Sequence, residues 1–127
     1  MFGRSIGGGP TCYLAEKYNV GGVILHAAFM SIFRVAFQNL RWTFPFDKFP
    51  NIKRVKNFDC PVYIIHGMRD ELVHISHAHQ MYKNIVNKDF EPYFVEMAGH
   101  NNIERHAKDY LPRINDFIEH VDNWVEG

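Results

Sequence analysis

The chain is poor in cysteine, carries no net charge and has no long apolar run, and each shortage excludes a class of protein. Two cysteines, Cys12 and Cys60, are too few for the disulfide framework of a small secreted domain, and no segment has the pattern of a secretory signal. A reducing, cytoplasmic location is the expectation. Lys and Arg total 14, as do Asp and Glu. A protein that neutralises many phosphates needs an excess of cations, so no nucleic-acid partner is expected. No apolar stretch approaches the ~18 residues that cross a bilayer. Internal repeats and low-complexity tracts are also missing.

What is present is a chain of 127 residues, 46% hydrophobic and 15% aromatic, which suits a single packed core. Charge is unevenly spread, with eight basic and three acidic side chains in residues 1–64 against six and eleven in residues 65–127. That asymmetry reads as an uneven surface. Three strand-length runs stand out: VGGVILHA (20–27), CPVYIIHG (60–67) and EPYFVEMA (91–98). The first two are nearly continuous in branched and aromatic residues, as in parallel strands covered on both faces, while the third alternates like an edge strand. Helices are expected between them. One runs from Gly9 to Asn19 with Leu14 and Tyr18 on one face. A second runs over 76–86 with Ser76 as N-cap and Ala78, Met81, Tyr82 and Ile85 inward. The last spans 103–125, with Tyr110, Ile114, Phe117, Val121 and Trp124 at helical spacing and a break near Leu111 before Pro112. The fold class is therefore α/β, a doubly wound, mainly parallel sheet of about three strands. Residues 30–57 fit least well: they are rich in phenylalanine (Phe33, Phe37, Phe44, Phe46, Phe49) and broken by Pro45 and Pro50, a pattern shared by lids, pocket walls and pinned surface loops.

Gly3-Arg4-Ser5-Ile6-Gly7 matches G-x-S-x-G, the sharp strand-to-helix turn that lifts a serine Oγ above a sheet. Its glycines let turn, helix and strand approach closely, and the helix that follows favours negative charge near the serine. Asp70 comes directly after the run ending in Gly67, and His100 follows the run ending at Ala98. Serine, acid and histidine thus stand in the chain order of this elbow's triads, each at the C-terminal end of a parallel strand, where sites form in open α/β sheets.

GRSIGGGPTCYLAEKY, VILHAAF, FDKFPNIKRVKNFDCPVYIIHGMRDELVHISHAHQMY and FVEMAGHNNIE together resemble the C-terminal half of an α/β-hydrolase. They are most similar to the depalmitoylase group of alpha/beta-hydrolase-domain proteins, serine hydrolases that remove fatty acyl groups from cysteine. The resemblance covers residues 2 to about 120. It implies Ser5 as nucleophile, His100 as general base and Asp70 as the acid that orients the imidazole, with an acyl-serine intermediate, no cofactor, and acyl esters or thioesters, including those of lipidated proteins, as substrates. The backbone N–H of Ile6 is the expected first oxyanion donor. In this fold the second donor lies upstream of the serine, and only Met1 to Arg4 precede it, so residues 1–127 are expected to be a partial domain without its N-terminal strands. An alternative reading follows: a truncated, inert α/β module that self-associates through an exposed edge of strand 20–27.

Other features have simpler expectations. Glu71 competes with Asp70 but is expected to face solvent or cap the turn. His74, His77 and His79 form H-x-x-H-x-H, yet only the first two share a direction on a helix from Ser76, so no metal site is expected. His26 and His66 are expected to be structural histidines near the pocket, and Asn101 and Asn102 to brace the turn after His100. Lys48, Lys53, Arg54 and Lys56 read as a solvated basic loop, with peripheral membrane contact as the alternative.

Overall fold

A computed structural model of the chain describes residues 1–28 and 51–127. The Phe-rich segment from Phe33 to Phe49, and Lys48 of the basic cluster, lie outside the described residues. Four strands, β1 (Phe2–Arg4), β2 (Val23–His26), β3 (Val62–Gly67) and β4 (Tyr93–Val95), form one parallel sheet in sequence order. The register pairs Phe2 with Ile24, Gly3 with Leu25 and Arg4 with His26. It continues from Val23–Val62 to His26–Ile65, and from Ile65–Tyr93 to Gly67–Val95.

Both faces of the central strands are covered, which is why their sequences are continuous rather than alternating. Val23, Leu25, Val62 and Ile64 point to one side, where they meet Cys12, Ala15, Val55, Phe58, Ala78 and Met81. Ile24, Tyr63 and Ile65 point to the other and meet Val95, Ile103, Ala107 and Phe117. The first side is closed by α1 (Gly8–Lys17), α2 (Asn51–Arg54) and α3 (Ile75–Asn84), the second by α4 (Ile103–His106) and α5 (Tyr110–Glu126).

Several expectations change here. The sheet has four strands, not three, because β1 is only three residues long and Phe-Gly-Arg shows no apolar run. As a result β2 is paired on both sides, and residues 20–27 do not form the open edge expected of them. α1 does not bury Leu14 and Tyr18. Its inward face is Gly8, Thr11, Cys12 and Ala15, small residues that let the helix lie close to the sheet. The N-cap of α3 is His74, whose Nδ1 accepts from the Ser76 N–H at 3.1 Å, so the helix starts one residue earlier. The C-terminal helix breaks at residues 107–109, before Leu111. Pro112 then sits in the first turn of α5, where its missing N–H would have had no helical partner.

α5 is anchored by one fully buried side chain, Phe117, whose ring meets Tyr63 at 5.5 Å and Phe90 at 5.1 Å between centroids. Phe117→Ala is expected to lower the unfolding free energy by about 3–5 kcal/mol. Trp124→Ala, which removes a larger but 39% exposed side chain, is expected to lower it by much less. Urea denaturation of both variants checks the ranking.

Candidate active site

β1 ends at Arg4, and the next residue turns sharply: Ser5 has φ 51°, the left-handed region that a residue with a Cβ occupies only under strain. A 3-10 turn over Ser5–Gly7 leads straight into α1. The tight glycine of this motif is Gly3. A Cβ there would lie 2.6 Å from Thr11 Oγ1 and 2.9 Å from the Gly8 Cα, so strand and helix could not meet. Gly7 differs from expectation, since a Cβ on it would touch nothing within 4 Å.

Asp70 sits three residues past β3, is 3% exposed, and is held by its own loop. Its Oδ1 accepts the N–H groups of Leu72 at 2.9 Å and Val73 at 2.7 Å. The other oxygen, Oδ2, lies 2.8 Å from His100 Nδ1. Next to a carboxylate that nitrogen carries the proton, which leaves Nε2 as an acceptor. Ser5 Oγ stands 2.8 Å from Nε2, the distance at which the hydroxyl donates to it. Glu71, as expected, is exposed.

His100 reaches Ser5 from the far side of the sheet because its loop crosses close over β3. A Cβ on Gly67 would lie 2.3 Å from the Ala98 carbonyl oxygen, so only glycine permits the crossing. Asn102 closes the turn by accepting the Gly99 N–H at 2.6 Å. Two contacts beside this line are not visible in any motif: Arg4 Nη1 donates to Glu104 Oε1 at 2.6 Å, and His26 Nδ1 shares a hydrogen bond with the Tyr110 hydroxyl at 3.0 Å. Charges and polar groups this far apart in sequence carry no local signal of their pairing.

His26 and His66 are fully buried, in line with a structural role. Burial, with the Arg4 cation beside it, pushes His26 down to about 4. Burial likewise lowers His66, whose Nε2–H donates to the Val73 carbonyl at 2.7 Å and so pins the loop that holds Asp70. The other histidines separate: His77 is buried, His74 caps α3, and His79 meets the Phe94 ring at a tilt, 4.4 Å between centroids. Burial pushes the Cys12 thiol up to about 12, which removes it as a nucleophile. Arg54 of the basic cluster pairs with Glu16 at 3.4 Å.

The sheet order and its flanking helices recur in solved structures. An esterase from Pyrococcus furiosus superposes with a TM-score of 0.73 at 15% identity, covering 94% of this chain and 52% of that one. The esterase domain of a Rhodothermus marinus protein gives a TM-score of 0.65 at 17% identity, covering 85% and 54%. The fold is that of an α/β-hydrolase. By sequence the chain resembles alpha/beta hydrolase domain-containing protein 17C of Xenopus tropicalis, at 46% identity over 120 residues, covering 94% of this chain and 38% of that protein. It also resembles human alpha/beta hydrolase domain-containing protein 17B, at 40% identity over 118 residues, covering 93% and 40%. The chain therefore spans less than half the length of these relatives. No family model matches it. Among the described residues, no helix is long and apolar enough to cross a membrane.

Gly3→Ala is expected to destabilise the chain by about 1–3 kcal/mol through overpacking, whereas Gly7→Ala, at a helical φ of −62°, is expected to be neutral or mildly stabilising. Thermal melts distinguish them. His26 has a folded value near 4, and an unfolded histidine titrates near ~6.5, so the unfolded chain binds the extra proton in between. Stability is then complete above pH ~6.5 and declines as the pH falls toward 4. Urea unfolding across that range is expected to show the decline, with a shallower slope in His26→Gln.

Proposed function

We propose that the chain is a serine hydrolase of acyl esters or thioesters that works through an acyl-Ser5 intermediate. The observation that carries this reading is the continuous line from Asp70 Oδ2 through His100 to Ser5 Oγ, with 2.8 Å at each step. Ser5 attacks the acyl carbonyl while His100 Nε2 takes its proton. Asp70 keeps the imidazole in the tautomer that can accept it and stabilises the imidazolium that forms. His100 then returns the proton to the departing alcohol or thiol, and a water activated by the same nitrogen cleaves the acyl-serine. The backbone N–H of Ile6, next after the nucleophile, is the first oxyanion donor in this scheme, and the start of α1 at Gly8 adds the positive end of a helix.

For the acyl group, an apolar chain is supported by the exposed side chains of Ile6, Met68 and Leu72, which flank Ser5 and Asp70. Each methylene they cover contributes ~0.8 kcal/mol. As natural substrate the reading takes a lipidated protein, with cytoplasmic or membrane-peripheral action, the class that the resemblance of the sequence to the depalmitoylase group implies.

A fluorophosphonate probe tests this directly. The wild-type chain is expected to gain one covalent adduct, Ser5→Ala none, and Asp70→Asn to react slower by about 10²- to 10⁴-fold, as when a triad loses its correct tautomer. An unlabelled wild type, or labelling that survives Ser5→Ala, would refute the reading for this chain and favour the inert α/β module.

A further inference from the structure

The segment that carries His100 is tied to the nucleophile's end of the sheet at two points outside the Ser5–His100–Asp70 line. Arg4, the last residue of β1 and the neighbour of Ser5, binds Glu104 on α4 at 2.6 Å. His26, the register partner of Arg4 on β2, bonds the hydroxyl of Tyr110, the first residue of α5, at 3.0 Å. Both tethers start just beyond His100 and end beside Ser5. They also lie beside each other, since the Arg4 and Glu104 charges both act on the His26 imidazole.

We propose that the Arg4–Glu104 and His26–Tyr110 contacts form a strap that sets the distance between nucleophile and base, with all four as positioning residues. This rests on the reading of Ser5 and His100 as that pair. The need for a strap comes from the strained Ser5 at the end of β1 and from the path of His100. His100 arrives from beyond β4, so the separation of Ser5 from His100 is the sum of small errors across four strands. Proton transfer from Ser5 requires that separation to stay within hydrogen-bond reach. The two tethers span it directly. The Arg4–Glu104 pair is exposed, with side chains 44% and 38% accessible, and exposed pairs add little to global stability. Its effect is local, on where the β1 end sits relative to α4. The His26–Tyr110 bond complements it from the buried side, because His26 is fully enclosed and keeps a single neutral charge state through neutral pH.

The test uses Glu104→Gln, Tyr110→Phe and the swapped pair Arg4→Glu with Glu104→Arg, with two readouts. The first is the second-order rate of fluorophosphonate reaction at Ser5. The second is hydrogen exchange of the Ile24 amide, which donates to the Met1 carbonyl at 2.8 Å and reports β1 pairing, against the Ala27 amide, which donates to Ile65 at 2.8 Å and reports β2–β3 pairing. In each single variant the rate is expected to fall roughly fivefold and Ile24 exchange to rise by a similar factor, with Ala27 unchanged. The swapped pair is expected to bring both back to within about twofold of wild type. Unchanged readouts in both single variants, joint acceleration of Ile24 and Ala27, or no recovery in the swapped pair would overturn the strap. A wild type inert to the probe would refute the hydrolase reading alone, and the Ile24–Ala27 comparison would still decide the strap.

Discussion

Three residues of parallel pairing between β1 and β2 hold the Ser5 end of the sheet in place. Phe2, Gly3 and Arg4 align with Ile24, Leu25 and His26, and the next residue is the strained Ser5. Because every strand runs the same way, the loops after β1, β3 and β4 all open at one end of the sheet, and that end receives Ser5, Asp70 and His100. The His100 loop still has to travel back across β3. Gly67, with the Ala98 carbonyl pressed where a Cβ would be, is what lets it cross. The placement of Ser5, Asp70 and His100 thus depends on strand alignment plus two close backbone approaches, at Gly3 and Gly67.

The electrostatics at this end follow from how each polar group is satisfied. Burying a carboxylate is unfavourable unless its oxygens are bonded. Asp70 meets that condition with two backbone N–H groups on one oxygen and the His100 N–H on the other. Around it, His26 and His66 are kept neutral mainly by burial, so they add bonding geometry without adding charge. His66 supports the Asp70 loop through the Val73 carbonyl, and His26 leads toward Tyr110. The charged pair beside Ser5, Arg4 with Glu104, stays at the surface where its solvation is retained.

Much of this could be read from the residues. The runs containing VILH and VYIIHG are continuous because both of their faces are covered, and the chain order Ser5, Asp70, His100 carries over into one bonded line. What the sequence concealed has physical causes. β1 is too short to make a pattern, so a fourth strand was hidden in Phe-Gly-Arg. α1 packs through Gly8, Thr11, Cys12 and Ala15, and a small-residue face leaves no hydrophobic periodicity to follow, so the spacing of Leu14 and Tyr18 did not mark its inward side. The caps and tethers were equally silent. His74 displaced Ser76 as N-cap through its own ring nitrogen, and Arg4–Glu104 joins residues a hundred positions apart.

The central claim is that this chain by itself assembles Asp70, His100 and Ser5 into one hydrogen-bonded line. Proton NMR of the imidazole region measures that most directly, because an Nδ1–H donated to a buried carboxylate resonates far downfield of other ring protons and is protected from solvent exchange. The account predicts such a resonance in the wild-type chain, lost in His100→Ala and moved upfield in Asp70→Asn. Its absence from the folded wild-type chain, or its persistence unshifted in Asp70→Asn, would contradict the account.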